Sequence, residues 1–149
     1  MGQKTNPIGL RLGINRSWDS VWFDEKNYAA KLHEDIILRH YIKNRLNHAS
    51  IARIEISRTP KKITVTIHTA RPGIVIGRGG TEVELLKTEL KELISSDVNI
   101  NVMEIKRPGL RAELVGQNIA QQLEKKVNYR RAVKKAIQST MTMGADGIR

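Results

Sequence analysis

Between Arg71 and Glu84 the chain reads RPGIVIGRGGTEVE, with four glycines in eight residues, Gly73, Gly77, Gly79 and Gly80. Glycine has no Cβ, so a phosphate can approach such a backbone closely, and amides at the start of a following helix point toward its charge. The chemistry on offer is anion binding, and spacing decides which anion. A nucleoside-triphosphate loop needs Gly, four residues, then Gly-Lys-Ser/Thr, so that lysine reaches the terminal phosphates and the hydroxyl holds magnesium. Here three residues separate Gly73 from Gly77, and Arg78 precedes Gly79 rather than a hydroxyl. A dinucleotide fingerprint begun at Gly77 and Gly79 needs a glycine at 82, where Glu82 sets a carboxylate against the pyrophosphate. What remains is Gly77-Arg78-Gly79-Gly80, a G-x-x-G loop suited to a sugar–phosphate backbone, with Arg78 adding a charge-assisted contact.

A second constellation lies toward the C-terminus. Arg130, Arg131, Lys134 and Lys135 have i, i+1, i+4, i+5 spacing, which forms one charged flank of a helix. Lys125 and Lys126 end the helix before it. Such groups hold phosphate without reading bases. Lys4, Arg11 and Arg16 on the N-terminal segment, with Arg71 and Arg107 flanking the central one, complete the candidate cationic contacts.

Other chemistry finds no constellation. His33, His40, His48 and His68 are too irregularly spaced to share adjacent helix turns, no cysteine assists them, and no metal site is expected. Glu82 and Glu84 point different ways on a helix, Ser17, Ser57 and Ser139 lack a nucleophile-elbow context, and no catalytic residue is assigned.

Positioning these groups requires the following elements. Residues 1–22, punctuated by Pro7, Gly9 and Gly13, read as an extended arm whose end is pinned by Trp18, Trp22 and Phe23 to the body or to a partner. Residues 25–46 predict an amphipathic helix with Tyr28, Leu32, Ile36, Ile37, Tyr41 and Leu46 near one face. Two alternating strands follow, around Ile54–Ile56 and Ile63–Ile67, joined by Thr59-Pro60-Lys61-Lys62 as a hairpin loop. After an apolar IVI turn and the glycine loop, Thr81 with Glu84 predicts a capping box, and Val83, Leu86, Leu90, Leu93 and Ile94 a buried stripe. VNINVM predicts a third strand. Beyond Pro108-Gly109, one helix is expected to bury Leu114, Ile119, Leu123 and Val127, and a second, opened by Asn128 and ended by Gly144, Tyr129, Val133, Ile137 and Met141.

Composition narrows the partner. The 149 residues carry a net charge of +11, with a pI near 10.2, which points to a polyanion. Residues 106–149 hold ten Lys and Arg against three acids, so most of the excess lies in the last third of the chain. Only 4% of residues are aromatic, so the core is expected to be Ile, Leu and Val. Without cysteines there is no disulfide or thiolate site. No apolar run spans a bilayer and MGQKTNPIGL lacks a secretory segment, so a cytoplasmic protein with no membrane partner is expected.

The strand and helix order, with VIGRGG at the turn, resembles a type II KH domain, an α-β-β-α-α-β module of the α+β class in which such a loop clamps about four nucleotides. More fully, the chain resembles the bacterial family of protein three of the small ribosomal subunit. MGQKTNPIGLRLG with Trp18 and Trp22 is similar to that family's opening, VTIHTARPGIVIGRGG to its KH core, and QLEKKVNYRRAVKKAIQSTMTMGADGI to the first part of its second domain. The second variable loop position is Gly79, where a lysine is common in the family, which leaves Arg78 as the loop's cation. The resemblance implies an arm over 1–22, a KH domain over 23–106, and a helical pair over 107–149 that begins a second, truncated α+β domain whose strands would follow. It also implies a structural component of the 30S head that binds 16S rRNA and neighbouring head proteins. The family lines the messenger RNA entry channel, a role that maps here onto the helix of Arg130, Arg131, Lys134 and Lys135. No cofactor or small-molecule substrate is implied. A free-standing KH protein of RNA metabolism or ribosome assembly, and a phosphate-handling enzyme, are the alternative readings. If nothing covers the last helices, Met141, Met143 and Ile148 are expected to be exposed.

Overall fold

The structure, a computed structural model, describes residues 3–94 and 96–148, so the extreme ends of the 1–22 and 107–149 segments lie outside the described residues. Alternating Ile, Val and Thr favour strands, and β2 (Ile51–Arg58) and β3 (Ile63–Thr69) pair antiparallel as read. The turn between them is closed at Thr59, whose N–H and hydroxyl both donate to the Lys62 carbonyl (2.9 Å each). Strand β4 (Val98–Glu104) runs parallel to β3 in unbroken register from Ile63↔Val98 to Thr69↔Glu104. At the other edge, β1 (Ser20–Val21) lies parallel to β2, giving the order β1-β2-β3-β4.

Alternate residues of β3 are buried, so one sheet face carries the core. Against it pack α2 (Tyr28–Arg45) and α4 (Thr81–Ile94). The core is aliphatic, with Leu38 and Ile42 of α2, Ile56, Val65 and Ile67 of the sheet, Val75 and Leu90 all fully buried. The stripe of α4 follows the reading at Leu86, Leu90 and Ile94, with Val83 partly buried, while Leu93 is exposed.

The face of α2 differs from the sequence reading. Tyr28, Leu32, Ile36 and Ile37 are exposed, and Asp35, Leu38 and Ile42 face inward. The cause is a buried ionic network. The Asp35 carboxylate accepts from Ser20 Oγ (2.7 Å), Trp22 Nε1 (2.8 Å), and Arg58 Nε and Nη2 (2.8 and 2.6 Å), while Arg58 Nη1 also donates to Glu34 (2.7 Å). A carboxylate with four such donors is cheaper to bury than to leave half satisfied, and the helix turns accordingly. The same network pins the arm through Trp22, whose ring packs against Tyr28 at a centroid distance of 5.3 Å with the planes tilted by 45°. Trp18 (65%) and Phe23 (84%) remain exposed.

The arm is also less extended than read. Asn6 Oδ1 accepts from the Ile8 and Gly9 amides and Pro7 takes the first helical position, which starts the short helix α1 (Pro7–Arg11). The IVI turn is a one-turn helix, α3 (Pro72–Ile76), again opened by proline and anchored by buried Val75.

After a 3₁₀ turn at Pro108–Leu110 come α5 (Ala112–Glu124) and α6 (Tyr129–Thr142). Leu114 is buried, but Leu123, Tyr129, Val133, Ile137 and Met141 are exposed, contrary to the reading. Helix α6 instead turns its small residues inward, burying Ala132 and Thr140. Small residues permit close approach to the body, and a Cβ on Gly109 would collide with Met143 Sδ. Met141, Met143 and Ile148 are exposed as anticipated. Among the described residues no helix is long and apolar enough to cross a membrane.

Candidate nucleic-acid interface

The glycine loop joins α3 to α4. Gly77 ends α3 at φ +73°, ψ −178°, its N–H donating to the Gly73 carbonyl (3.0 Å). Arg78–Gly80 form a 3₁₀ turn, with Gly79 at φ +65° and Gly80 at φ +85°. Thr81 is already helical and its hydroxyl donates to the Arg78 carbonyl (3.1 Å), so it closes the loop from behind instead of forming the expected capping box. Arg78 and Gly79 are exposed, and a Cβ on Gly79 would meet nothing within 4 Å. Beside Gly80, a wide depression of about 830 Å³ runs along β4 over Ile76, Val83, Ile100 and Val102. Its charged lining residues are the acids Glu55 and Glu84, so the apolar floor offers surface to splayed bases while cationic contact with a phosphodiester falls to Arg78 on the loop.

Two acids open α4, and the nearer is offset. Glu82 lies 3.6 Å from Arg45 Nη2, and Arg45 Nε approaches Glu89 at 3.5 Å. Tyr41 donates to the same Glu89 (2.9 Å), and that carboxylate raises the phenol above its ordinary value. Arg45 thus limits the negative field at the loop. It sits 32 residues before the loop and no local pattern marks it.

The second constellation is assembled on α6. Arg130, Arg131, Lys134 and Lys135 line one groove of about 600 Å³ with Asn128 and Gln138, and no acid lines it. Asn128 starts the helix by accepting from the Arg130 amide (3.0 Å). Arg130 lies over the Tyr129 ring at 5.7 Å and donates to its hydroxyl (3.0 Å), which fixes one guanidinium on the surface. Among the described residues none of the four forms an ion pair. Lys125 and Lys126 occupy the turn between α5 and α6, Lys126 at φ +60°, and do not line this groove.

The remaining cations are dispersed. Arg11 donates to its own helix at the Pro7 carbonyl (2.9 Å). Arg16 lies 3.8 Å from Asp19 and lines a cavity of about 550 Å³ with Arg53 and Arg111, two cations the sequence reading did not select. Lys4 and Arg107 are exposed. Arg71 precedes α3 and shares a cavity with Lys135, so the structure joins residues 64 apart in sequence. Among the described residues no three His, Asp or Glu side chains converge as a metal site.

Comparison with known proteins agrees with the fold. The KH domain family matches residues 37–110. The whole chain is 56% identical to the small ribosomal subunit protein uS3 of Bacillus thuringiensis, covering 68% of that protein. The uS3 proteins of Listeria monocytogenes and Ligilactobacillus salivarius are 55% and 54% identical over the same shares.

Proposed function

The chain belongs to the uS3 family of small ribosomal subunit proteins, and on that premise we propose how its two cationic surfaces divide the work of holding RNA. The glycine loop at Gly77–Gly80 takes a ribosomal RNA backbone, with 16S rRNA as the ligand. Close approach is allowed by the absent Cβ atoms and reinforced by Arg78. The flank of Arg130, Arg131, Lys134 and Lys135 takes passing phosphates without reading bases, which suits messenger RNA entering the subunit. Arg71, Arg107, Lys4, Arg11, Arg16, Lys125 and Lys126 supply further phosphate contacts. The chain works in the 30S head beside other ribosomal proteins of the cytoplasmic particle, as a structural constituent and not an enzyme.

The observation that carries this reading is the acid-free groove on α6 lined by Arg130, Arg131, Lys134 and Lys135, none of which forms an ion pair among the described residues. Co-sedimentation tests it. The chain is expected to remain with 30S particles through a high-salt wash, and substitution of the four α6 cations by glutamine is expected to lower cross-linking to messenger RNA while leaving the chain in the particle. Release of the unaltered chain by the wash contradicts the reading and favours a free-standing KH protein.

A further inference from the structure

The cavity lined by Arg71 and Lys135 is distinct from the glycine loop and meets the α6 groove at Lys135. It encloses about 420 Å³ between the KH body and the helical pair, a volume within the range of small-ligand sites. Its walls are fixed. Gln117 Nε2 donates across to the Ile51 carbonyl (3.1 Å), the Arg71 amide donates to the buried Thr69 hydroxyl (3.0 Å), and that hydroxyl donates to the Ala49 carbonyl (2.5 Å). No acidic residue lines it, and among the described residues neither Arg71 nor Lys135 has a carboxylate partner. The amides of Gln121 and Gln122 also line it, with Leu114 and Met143 as apolar surface. Gln122 already donates to Asn118 (2.6 Å), whereas the Gln121 side chain has no hydrogen-bond partner among the described residues.

Two unpaired cations, a free amide and an apolar wall in a space of this size match one chemical unit, a nucleotide. We propose that this cavity receives a single unstacked nucleotide of an RNA strand, its phosphate held by Arg71 and Lys135 and its base edge by the Gln121 amide. An amide can donate to and accept from a base edge, and the energy of such pairing favours bases already outside a duplex. The placement fits a continuous strand. Arg71 abuts α3, whose five residues span about 7.5 Å before Gly77, and Lys135 also lines the α6 groove. The cavity therefore bridges the two surfaces, and the proposal rests on the RNA-binding reading above.

The test uses single-stranded RNA octamers carrying 2-aminopurine at each position in turn, with adenosine monophosphate as a competitor. No aromatic residue lines the cavity, so a base entering it is freed from stacking without a new quencher. One position is expected to brighten on binding. That signal should be lost in Arg71→Gln/Lys135→Gln and in Gln121→Leu, with affinity about tenfold weaker in the double variant. It should persist in Arg78→Asp/Gly79→Asp, which separates this site from the glycine loop. Adenosine monophosphate at millimolar concentration should reduce the same signal. All three cavity residues tested are exposed, so the variants are expected to keep the circular dichroism spectrum of the parent. Weaker affinity without any brightening would reduce the site to a phosphate contact and overturn the proposal, as would brightening that survives both cavity variants. RNA that fails to bind the unaltered chain takes down the underlying reading and this inference together.

Discussion

Gly77 and Glu82 meet across the glycine turn so tightly that a Cβ on residue 77 would stand 2.6 Å from Glu82 Cγ. Gly77 also holds φ +73° with ψ −178°, a conformation open essentially to glycine alone. Gly79, at φ +65°, faces open space. Gly77→Ala is therefore expected to destabilise the fold by roughly 2–4 kcal/mol, from strain and overpacking together. Gly79→Ala should cost only about 1 kcal/mol. Urea unfolding midpoints compare the two, and equal shifts would contradict the assignment of separate roles.

The exposed pair Arg78 and Gly79 should tolerate charge without unfolding. Arg78→Asp/Gly79→Asp is expected to keep its circular dichroism spectrum and to melt a few degrees lower, because any side chain at position 79 must adopt a left-handed φ. It should bind single-stranded RNA at least tenfold more weakly. Undiminished binding by the folded double variant would show that the loop is not a contact.

Buried Asp35 ties the arm to the body through Ser20, Trp22 and Arg58. Asp35→Ala leaves the largely buried Arg58 with Glu34 as its one acidic partner among the described residues, and a loss of about 3–5 kcal/mol is expected. Tryptophan emission should shift to the red as Trp22 loses its partner, since Trp18 is already exposed. A destabilised variant with unshifted emission would separate the network from the arm.

At the start of α2, the Asp24 carboxylate accepts from the Asn27 amide, the Lys31 ammonium and the Lys26 amide, which together hold its pKa at about 2 against an ordinary 3.8. A depressed folded-state value means that the stabilisation is present above about pH 4 and is lost as pH falls toward 2. Asp24→Asn should melt below the parent at pH 7, and the gap should close between pH 4 and pH 2. A gap independent of pH over that window would contradict the assignment.

The strands, the hairpin turn and the glycine loop were legible in the sequence because each rests on local chemistry: alternation of Ile and Val, a proline at position 60 that suits a turn, and residues without a Cβ. The four α6 cations were legible for the same reason, since helical spacing alone places them together. The inward faces of α2 and α6 were not. Asp35 is buried only because Ser20, Trp22 and Arg58, 13 to 23 residues away, converge on it. In α6 the larger apolar stripe of Val133, Ile137 and Met141 is the visible signal, yet contact is made by Ala132 and Thr140, whose size permits close approach. That Arg71 and Lys135 line one cavity depends on that same docking and left no local trace.

Salt dependence of RNA binding tests the central claim most directly, because phosphate neutralisation releases counterions in proportion to the contacts made. Binding of single-stranded RNA by the parent chain should fall steeply with potassium chloride, with a log–log slope of about −0.7 for each phosphate contacted. Replacing Arg130, Arg131, Lys134 and Lys135 with glutamine should flatten that slope by about 3. A slope unchanged by their removal, or a parent chain whose affinity does not respond to salt, would contradict the account.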